Sequence, residues 1–205
     1  MSRTYDRILK YIQTDRYFDG HVIEKIGPVT WFCHRPKHGS TSSFYISTQP
    51  GAIIMWGDMG EAIYTIYGKA NAFHWGRRNF RPNDTYYPFT KLSSQMRDKV
   101  FSTEDATDFL KERYEECKTS SVHDDEDAER AKKMLDAWEE QSGNEPHEDE
   151  AVWWSIHHEF DDSDAADMRD WTERTYWCFS CLCWFFTHVS ADDERFKEAW
   201  NAPGT

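Results

Sequence analysis

Cys178, Cys181 and Cys183 form a C-x-x-C-x-C run, a residue type and spacing that can hold zinc or carry thiol–disulfide exchange. Both chemistries need the pair on a tight turn or an exposed helix start, where the thiolate is favoured. This run instead lies inside Tyr176-Trp-Cys-Phe-Ser-Cys-Leu-Cys-Trp-Phe-Phe186, without Gly or Pro, so the cysteines are expected to be small buried hydrophobes. His157, His158, Glu159, Asp161 and Asp162 are the densest mix of metal-binding side chains. On a helix His157 shares a face with Asp161 and His158 with Asp162, so either pair could hold a divalent ion for hydrolase or nuclease chemistry. No H-E-x-x-H accompanies them, and a solvated helix end is the plainer expectation. Gly57-Asp58-Met59-Gly60 lacks the lysine and following helix of a phosphate cradle and reads as a hairpin turn. No G-x-S-x-G and no Cys-His nucleophile pair stands out. The sequence therefore assigns no catalytic residue, no metal and no cofactor, and the balance falls against an enzyme.

Charge is the stronger signal. Net charge is −13, yet residues 1–100 hold 8 acidic and 14 basic side chains while residues 101–205 hold 29 and 10. Asymmetry of this kind speaks to partners rather than to fold. The carboxylates recur in blocks: Asp124, Asp125, Glu126, Asp127 and Glu129; then Glu145, Glu148, Asp149 and Glu150; then Asp161, Asp162, Asp164 and Asp167. Duplex DNA carries one charge per ~1.7 Å of axis, and helices with two to four carboxylates per turn approach that density. Such a surface repels nucleic acid and fits a Lys/Arg groove built to receive it, with an exposed ring such as Trp154 as the anchor that charge alone lacks. The opposite pattern occurs at residues 73–82, where Arg77, Arg78 and Arg81 interleave with Phe73, Trp75 and Phe80. That segment suits a single nucleic-acid strand as an alternative reading, and equally suits a protein contact, including a second copy of the chain in a homodimer.

The elements that must position these groups predict an α+β chain. Tyr5, Ile8, Leu9 and Ile12 recur at helical spacing over residues 3–16. From 21 to about 67, short β-branched and aromatic runs alternate with Gly27-Pro28, Pro50-Gly51 and Gly57-Asp58, which predicts a small antiparallel meander of four or five strands. Residues 68–90 show no period and read as a loop-rich connector. A helical, acidic half follows: one helix capped by Ser102 or Thr103, one from near Ser121 to Gly143, one opened by Pro146, an all-round apolar helix within 164–188, and a short last helix holding Phe196 and Trp200, for which Ser190 and Asp193 look like the cap. The expected division is residues 1–90 and 91–205, packed together. Ten Trp among 33 aromatic residues argue against disorder. Five cysteines, no apolar run of membrane-spanning length and no signal-like core in MSRTYDRILKYIQ predict a reduced, cytoplasmic protein that does not enter a membrane.

Trp31-Phe-Cys-His-Arg-Pro36, Ser43-Phe-Tyr-Ile-Ser-Thr-Gln-Pro-Gly51 and Ala52-Ile-Ile-Met-Trp-Gly-Asp-Met-Gly-Glu61 together resemble a recurrent stretch in proteins of bacteriophages and prophages. There an aromatic strand, a Pro-Gly turn, an apolar strand and a Gly-Asp-x-Gly-Glu turn follow one another. The resemblance transfers no catalytic residue. It implies a phage accessory protein, a class in which small acidic members are often host-defence inhibitors such as anti-CRISPR proteins. Joined to the charge pattern, it yields the leading expectation: a non-enzymatic inhibitor in the infected host's cytoplasm. Its acidic half would occupy the nucleic-acid groove of a basic defence protein, such as a CRISPR effector subunit.

Overall fold

The computed structural model describes residues 3–14, 16–36, 42–66, 71–93, 99–119, 125–160 and 168–202. Its elements are α1 (Arg3–Thr14), β1 (Val22–Lys25), β2 (Thr30–His34), β3 (Phe44–Gln49), β4 (Ala52–Gly57), β5 (Ala62–Thr65), α2 (Ala72–Asn79), α3 (Tyr86–Thr90), β6 (Lys99–Phe101), α4 (Thr103–Thr119), α5 (Asp125–Gln141), α6 (Pro146–Glu159), β7 (Arg169–Trp171), α7 (Glu173–His188) and α8 (Lys197–Asn201). This is the expected α+β order, a five-stranded antiparallel sheet followed mostly by helices. No helix among the described residues is long and apolar enough to cross a membrane.

The chain divides into two compact units, residues 1–98 with 172–205 and residues 99–171. The second unit is thus an insertion in the first, whereas the sequence groups 91–205 as one helical region. The physical reason is α7. Cys178 to Cys183, Phe185 and Phe186 are all buried, and their cover comes from the sheet, α1 and α2, on rings such as Trp31, Tyr5 and Phe73.

In the first unit the strands run in order β1-β2-β3-β4-β5, each antiparallel to the next. Alternation sends Trp31, Cys33, Phe44, Ile46, Ile53, Met55 and Tyr64 to the buried face. Trp31 meets Phe185 of α7 at 5.6 Å between ring centroids, and Phe80 stacks on Phe186 at 5.5 Å. Gly76 of α2 lies so close to α7 that a Cβ there would run into the Phe186 ring. From α1, Tyr5 packs on Tyr176 at 5.2 Å and on Phe179 at 5.9 Å. Buried rings of this size contribute about 1.5–3 kcal/mol each.

The turns hold the register. Gly51 adopts φ +77° after Pro50, the left-handed position a turn requires. Gly57 sits at φ +141°, where a Cβ would lie 2.6 Å from the Ser43 carbonyl oxygen and 2.7 Å from Phe44 Cα. Gly57 to Gly60 is the turn between β4 and β5 that the sequence predicts, and its Asp58 also accepts hydrogen bonds from Ser43 N (3.0 Å) and Ser43 Oγ (2.9 Å), which staples β4 to the residue before β3.

Two local expectations are corrected. Residues 72–79 and 86–90 are helical rather than loop, because Asn71 caps α2 through Phe73 N and His74 N and buries Ala72, Phe73 and Gly76 against α7. Ser190 and Asp193 do not cap α8: they accept from Asp192 N and Arg195 N, in turns that precede it.

In the second unit β6 pairs with β7 antiparallel, Lys99 opposite Trp171, which brings the two ends of the insertion together. Helices α4, α5 and α6 enclose Phe101, Ala106, Leu110, Met134, Leu135, Trp138, Trp153 and Ile156. Trp138 crosses Trp153 edge-on at 5.7 Å and donates its indole N–H to Thr107 Oγ1 at 2.8 Å. Ser102 is the α4 cap, accepting from Asp105 N at 3.2 Å.

Replacing Gly57 by Ala forces both the left-handed φ and the contact with Ser43. The expected cost is about 2 kcal/mol or more, read from urea unfolding. Gly143, at φ +102° with nothing within 4 Å of a Cβ, should lose less on the same change.

Candidate functional site

The charge partition follows the structural division rather than the midpoint of the chain. Residues 99–171 carry 24 acidic and 8 basic side chains, a net −16, and the remainder carries 13 and 16, a net +3. Every acidic residue named above as partner-binding lies in the second unit. Asp124, Asp161, Asp162, Asp164 and Asp167 fall outside the described residues; the rest separate by helix face.

On α5 the core side is Ala131, Met134, Leu135 and Trp138. Asp125, Glu129, Asp136 and Glu140, at i, i+4, i+11 and i+15, line the opposite side over about 22 Å and are all exposed. Lys132 and Lys133 flank this stripe, and Lys133 pairs with Glu129 at 2.8 Å, holding that carboxyl below the usual carboxylate range. Glu126 is exposed beside the stripe, whereas Asp127 is half-buried and lies 3.8 Å from Arg130. Acids in this first turn also complement the positive end of the helix dipole.

The block at 145–150 does not form a surface, because consecutive residues on a helix point in different directions. Glu145 and Glu148 are exposed, while Glu150 receives both Nε (2.9 Å) and Nη2 (2.5 Å) of Arg169. Asp149 leaves the partner-facing set altogether. It is fully buried and accepts from Gly143 N and Asn144 N, both at 3.1 Å, and from Thr103 Oγ1 at 2.5 Å. One carboxylate thus ties the turn before α6 to the start of α4. Trp154, by contrast, is 46% exposed on α6 and available as an anchor.

Beyond the acidic blocks named from the sequence, α4 carries a further stripe. Asp105, Asp108, Glu112 and Glu115 recur at i, i+3, i+7 and i+10, with Glu116 beside them, opposite buried Ala106, Leu110 and Cys117; Glu112, Glu115 and Glu116 are exposed, whereas Asp105 and Asp108 are half-buried. Lys111 and Lys118 fall off this face, where they pair with Glu139 (3.8 Å) and Glu115 (3.0 Å). The 3.6-residue period of those carboxylates was the available signal. Glu112, Glu116, Asp125, Glu126, Asp136 and Glu140 have no ion-pair partner among the described residues. Between α4 and α5 runs a groove of about 410 Å³ floored by Phe109, Cys117 and Met134, with Glu112 and Glu116 on its edge.

The other constellations are placed only in part by the described residues. His157 is buried with its ring 4.2 Å from that of Trp153, while His158 faces solvent, and Asp161 and Asp162 lie outside the described residues. Among the described residues no group of three His, Cys, Asp or Glu side chains is close enough to hold a metal. Cys178, Cys181 and Cys183 are buried in α7. Burial pushes the Cys178 thiol up to about 12 and raises Cys181 and Cys183 well above the ordinary thiol range, so all three stay protonated at neutral pH. Of the 73–82 segment, Phe73 and Phe80 are core residues, and Arg77 donates to the Phe186 carbonyl.

No family model, no curated protein and no solved structure matches this chain.

Asp149→Asn keeps the shape and an Oδ1 acceptor for the two backbone N–H groups, but removes the charge and turns the oxygen that accepts from Thr103 Oγ1 into a donor. Stability of the second unit should fall by about 1–3 kcal/mol, seen as an earlier loss of Trp138 and Trp153 packing in near-UV dichroism during denaturation. Glu148→Gln, on the exposed side of the same turn, should stay within about 0.5 kcal/mol of wild type.

Proposed function

We propose that residues 99–171 are a negatively charged docking module that occupies the nucleic-acid groove of a basic protein. In this reading the chain is a non-enzymatic, phage-encoded inhibitor of a bacterial defence complex, of the anti-CRISPR kind. The observation that carries it is the concentration of −16 in one unit where Glu112 and Glu116 of α4 and Asp125, Glu126, Asp136 and Glu140 of α5 are exposed and have no ion-pair partner among the described residues. Magnitudes favour it. The stripe from Asp125 to Glu140 places four exposed carboxylates along ~22 Å of α5, exposed Glu112, Glu115 and Glu116 add three on α4, and one DNA strand places about six phosphates along ~22 Å at ~3.4 Å each. The ion pairs the module makes with its own lysines are exposed, worth about 0–1 kcal/mol each, so the lysines and arginines of a partner compete for those carboxylates without breaking structure. Trp154 adds apolar contact that a purely electrostatic encounter lacks.

The test is a mobility shift of target DNA by guide-loaded CRISPR effectors, with the full chain as competitor. Wild type should displace DNA from its target effector, with competition weakening steeply as salt rises. Glu112→Lys, Glu116→Lys, Asp136→Lys and Glu140→Lys combined should raise the concentration needed by about a hundredfold or more, while the folded signal persists. Trp154→Ala alone should raise it about tenfold. Competition by the four-lysine variant equal to wild type would reject the mechanism.

A further inference from the structure

The first unit contains a second candidate site, of opposite sign and unconnected with the acidic helices. A cleft of about 670 Å³ opens at the C-terminal ends of α2 and α7. Arg77, Arg78, Arg81 and His74 supply its polar lining, Trp200 and Phe186 its apolar wall, and no carboxylate contributes. That volume falls within the usual range for a small-molecule pocket. Cations near helix C-termini answer the carbonyl dipoles, and this accounts for part of the cluster. Arg77 donates to the Phe186 carbonyl, and His74 Nε2–H donates to the Trp200 carbonyl at 2.7 Å. The dipole also reaches Arg78, in the last turn of α2, but neither explanation reaches Arg81. The Arg78 and Arg81 side chains are exposed and make no hydrogen bond or ion pair among the described residues, in a chain with 37 acidic side chains.

The wall is also chemically specific. The Trp200 ring is held edge-on to His74 at 4.6 Å and to Phe73 at 5.4 Å, so its place beside the arginines is fixed. Its indole N–H is buried and has no acceptor among the described residues. Two unpaired guanidinium groups suit phosphate oxygens, which they can hold in forked geometry. A fixed indole on the same cleft suits the flat face of a base.

We propose that this cleft binds a nucleoside phosphate, with the phosphate on Arg78 and Arg81 and the base against Trp200. The nucleoside phosphate is either free or part of a single strand. Of the rings interleaved in the sequence, Phe73 and Phe80 are buried and the half-buried Trp75 packs on Phe80 and Tyr87 rather than lining the cleft; Trp200, more than a hundred residues away in the chain, takes the platform role.

Calorimetric titration of the full chain with 5′-AMP, a short single-stranded oligothymidine and inorganic phosphate tests this. AMP or the oligothymidine should bind at low salt, and inorganic phosphate at least about tenfold more weakly, because it leaves the indole unused. AMP as tight as the oligothymidine assigns the site to free nucleotide, and a tighter oligothymidine assigns it to strand. Arg78→Ala with Arg81→Ala should weaken either ligand about tenfold or more with unchanged thermal unfolding, as expected for exposed positions. Four results overturn the proposal: no binding of either nucleotide probe, inorganic phosphate as tight as AMP, a double variant that binds like wild type, or self-association abolished by that variant without nucleotide binding. The last would give the cleft to a second copy of the chain. None of these outcomes bears on competition by the acidic helices.

Discussion

Twenty-four carboxylates in 73 residues repel one another, and residues 99–171 stay compact only because a single small core outweighs that repulsion. Trp138, Trp153, Phe101, Leu110, Met134 and Ile156 are each nearly or fully buried, at about 1.5–3 kcal/mol apiece. The repulsion is spread over solvated groups screened within about 8–10 Å at physiological salt, so each pair costs far less than a buried ring contributes. This balance forces the acids onto the outside of α4 and α5. It also explains why Asp149, a carboxylate taken fully inside, is surrounded by three donors. Stability and a dense negative surface are two results of the same partition.

The insertion separates two chemistries that one core could not combine. The first unit is assembled around α7, apolar on all sides, and holds a net positive charge with an arginine-lined cleft. The second is acidic and closed at its base by the pairing of β6 with β7, so it leaves and re-enters the chain at adjacent points. A unit tethered in this way can gain or lose surface charge without disturbing the sheet of the other.

How much of this the sequence disclosed depends on whether the determining contacts are local. The meander was legible because Pro50-Gly51 and Gly57-Asp58 set their turns from neighbouring residues, and all five expected strands are present. The helices of the acidic region were legible from their caps and apolar period. Residues 72–90 were not, since α2 is held by Phe186 and Ala199, more than a hundred positions away. The same non-locality hid the grouping of α7 with the sheet and the joining of Trp200 to the arginines. Within the acidic blocks, composition showed charge but not direction. Asp149 and Glu150 look alike beside Glu148, yet one is buried and the other faces Arg169. Counting acids found the unit, and only helical period separates its outer stripes from its ties.

The central claim is that exposed carboxylates of α4 and α5 contact cationic side chains that would otherwise hold nucleic acid. Zero-length carbodiimide cross-linking of the chain in complex with its bacterial partner, followed by peptide mapping, tests it most directly. The expected bonds run from Glu112, Glu116, Asp136 or Glu140 to lysines that are protected when the partner is first loaded with DNA. Cross-links confined to residues 1–98 and 172–205, or reaching only lysines that DNA leaves unprotected, would contradict it.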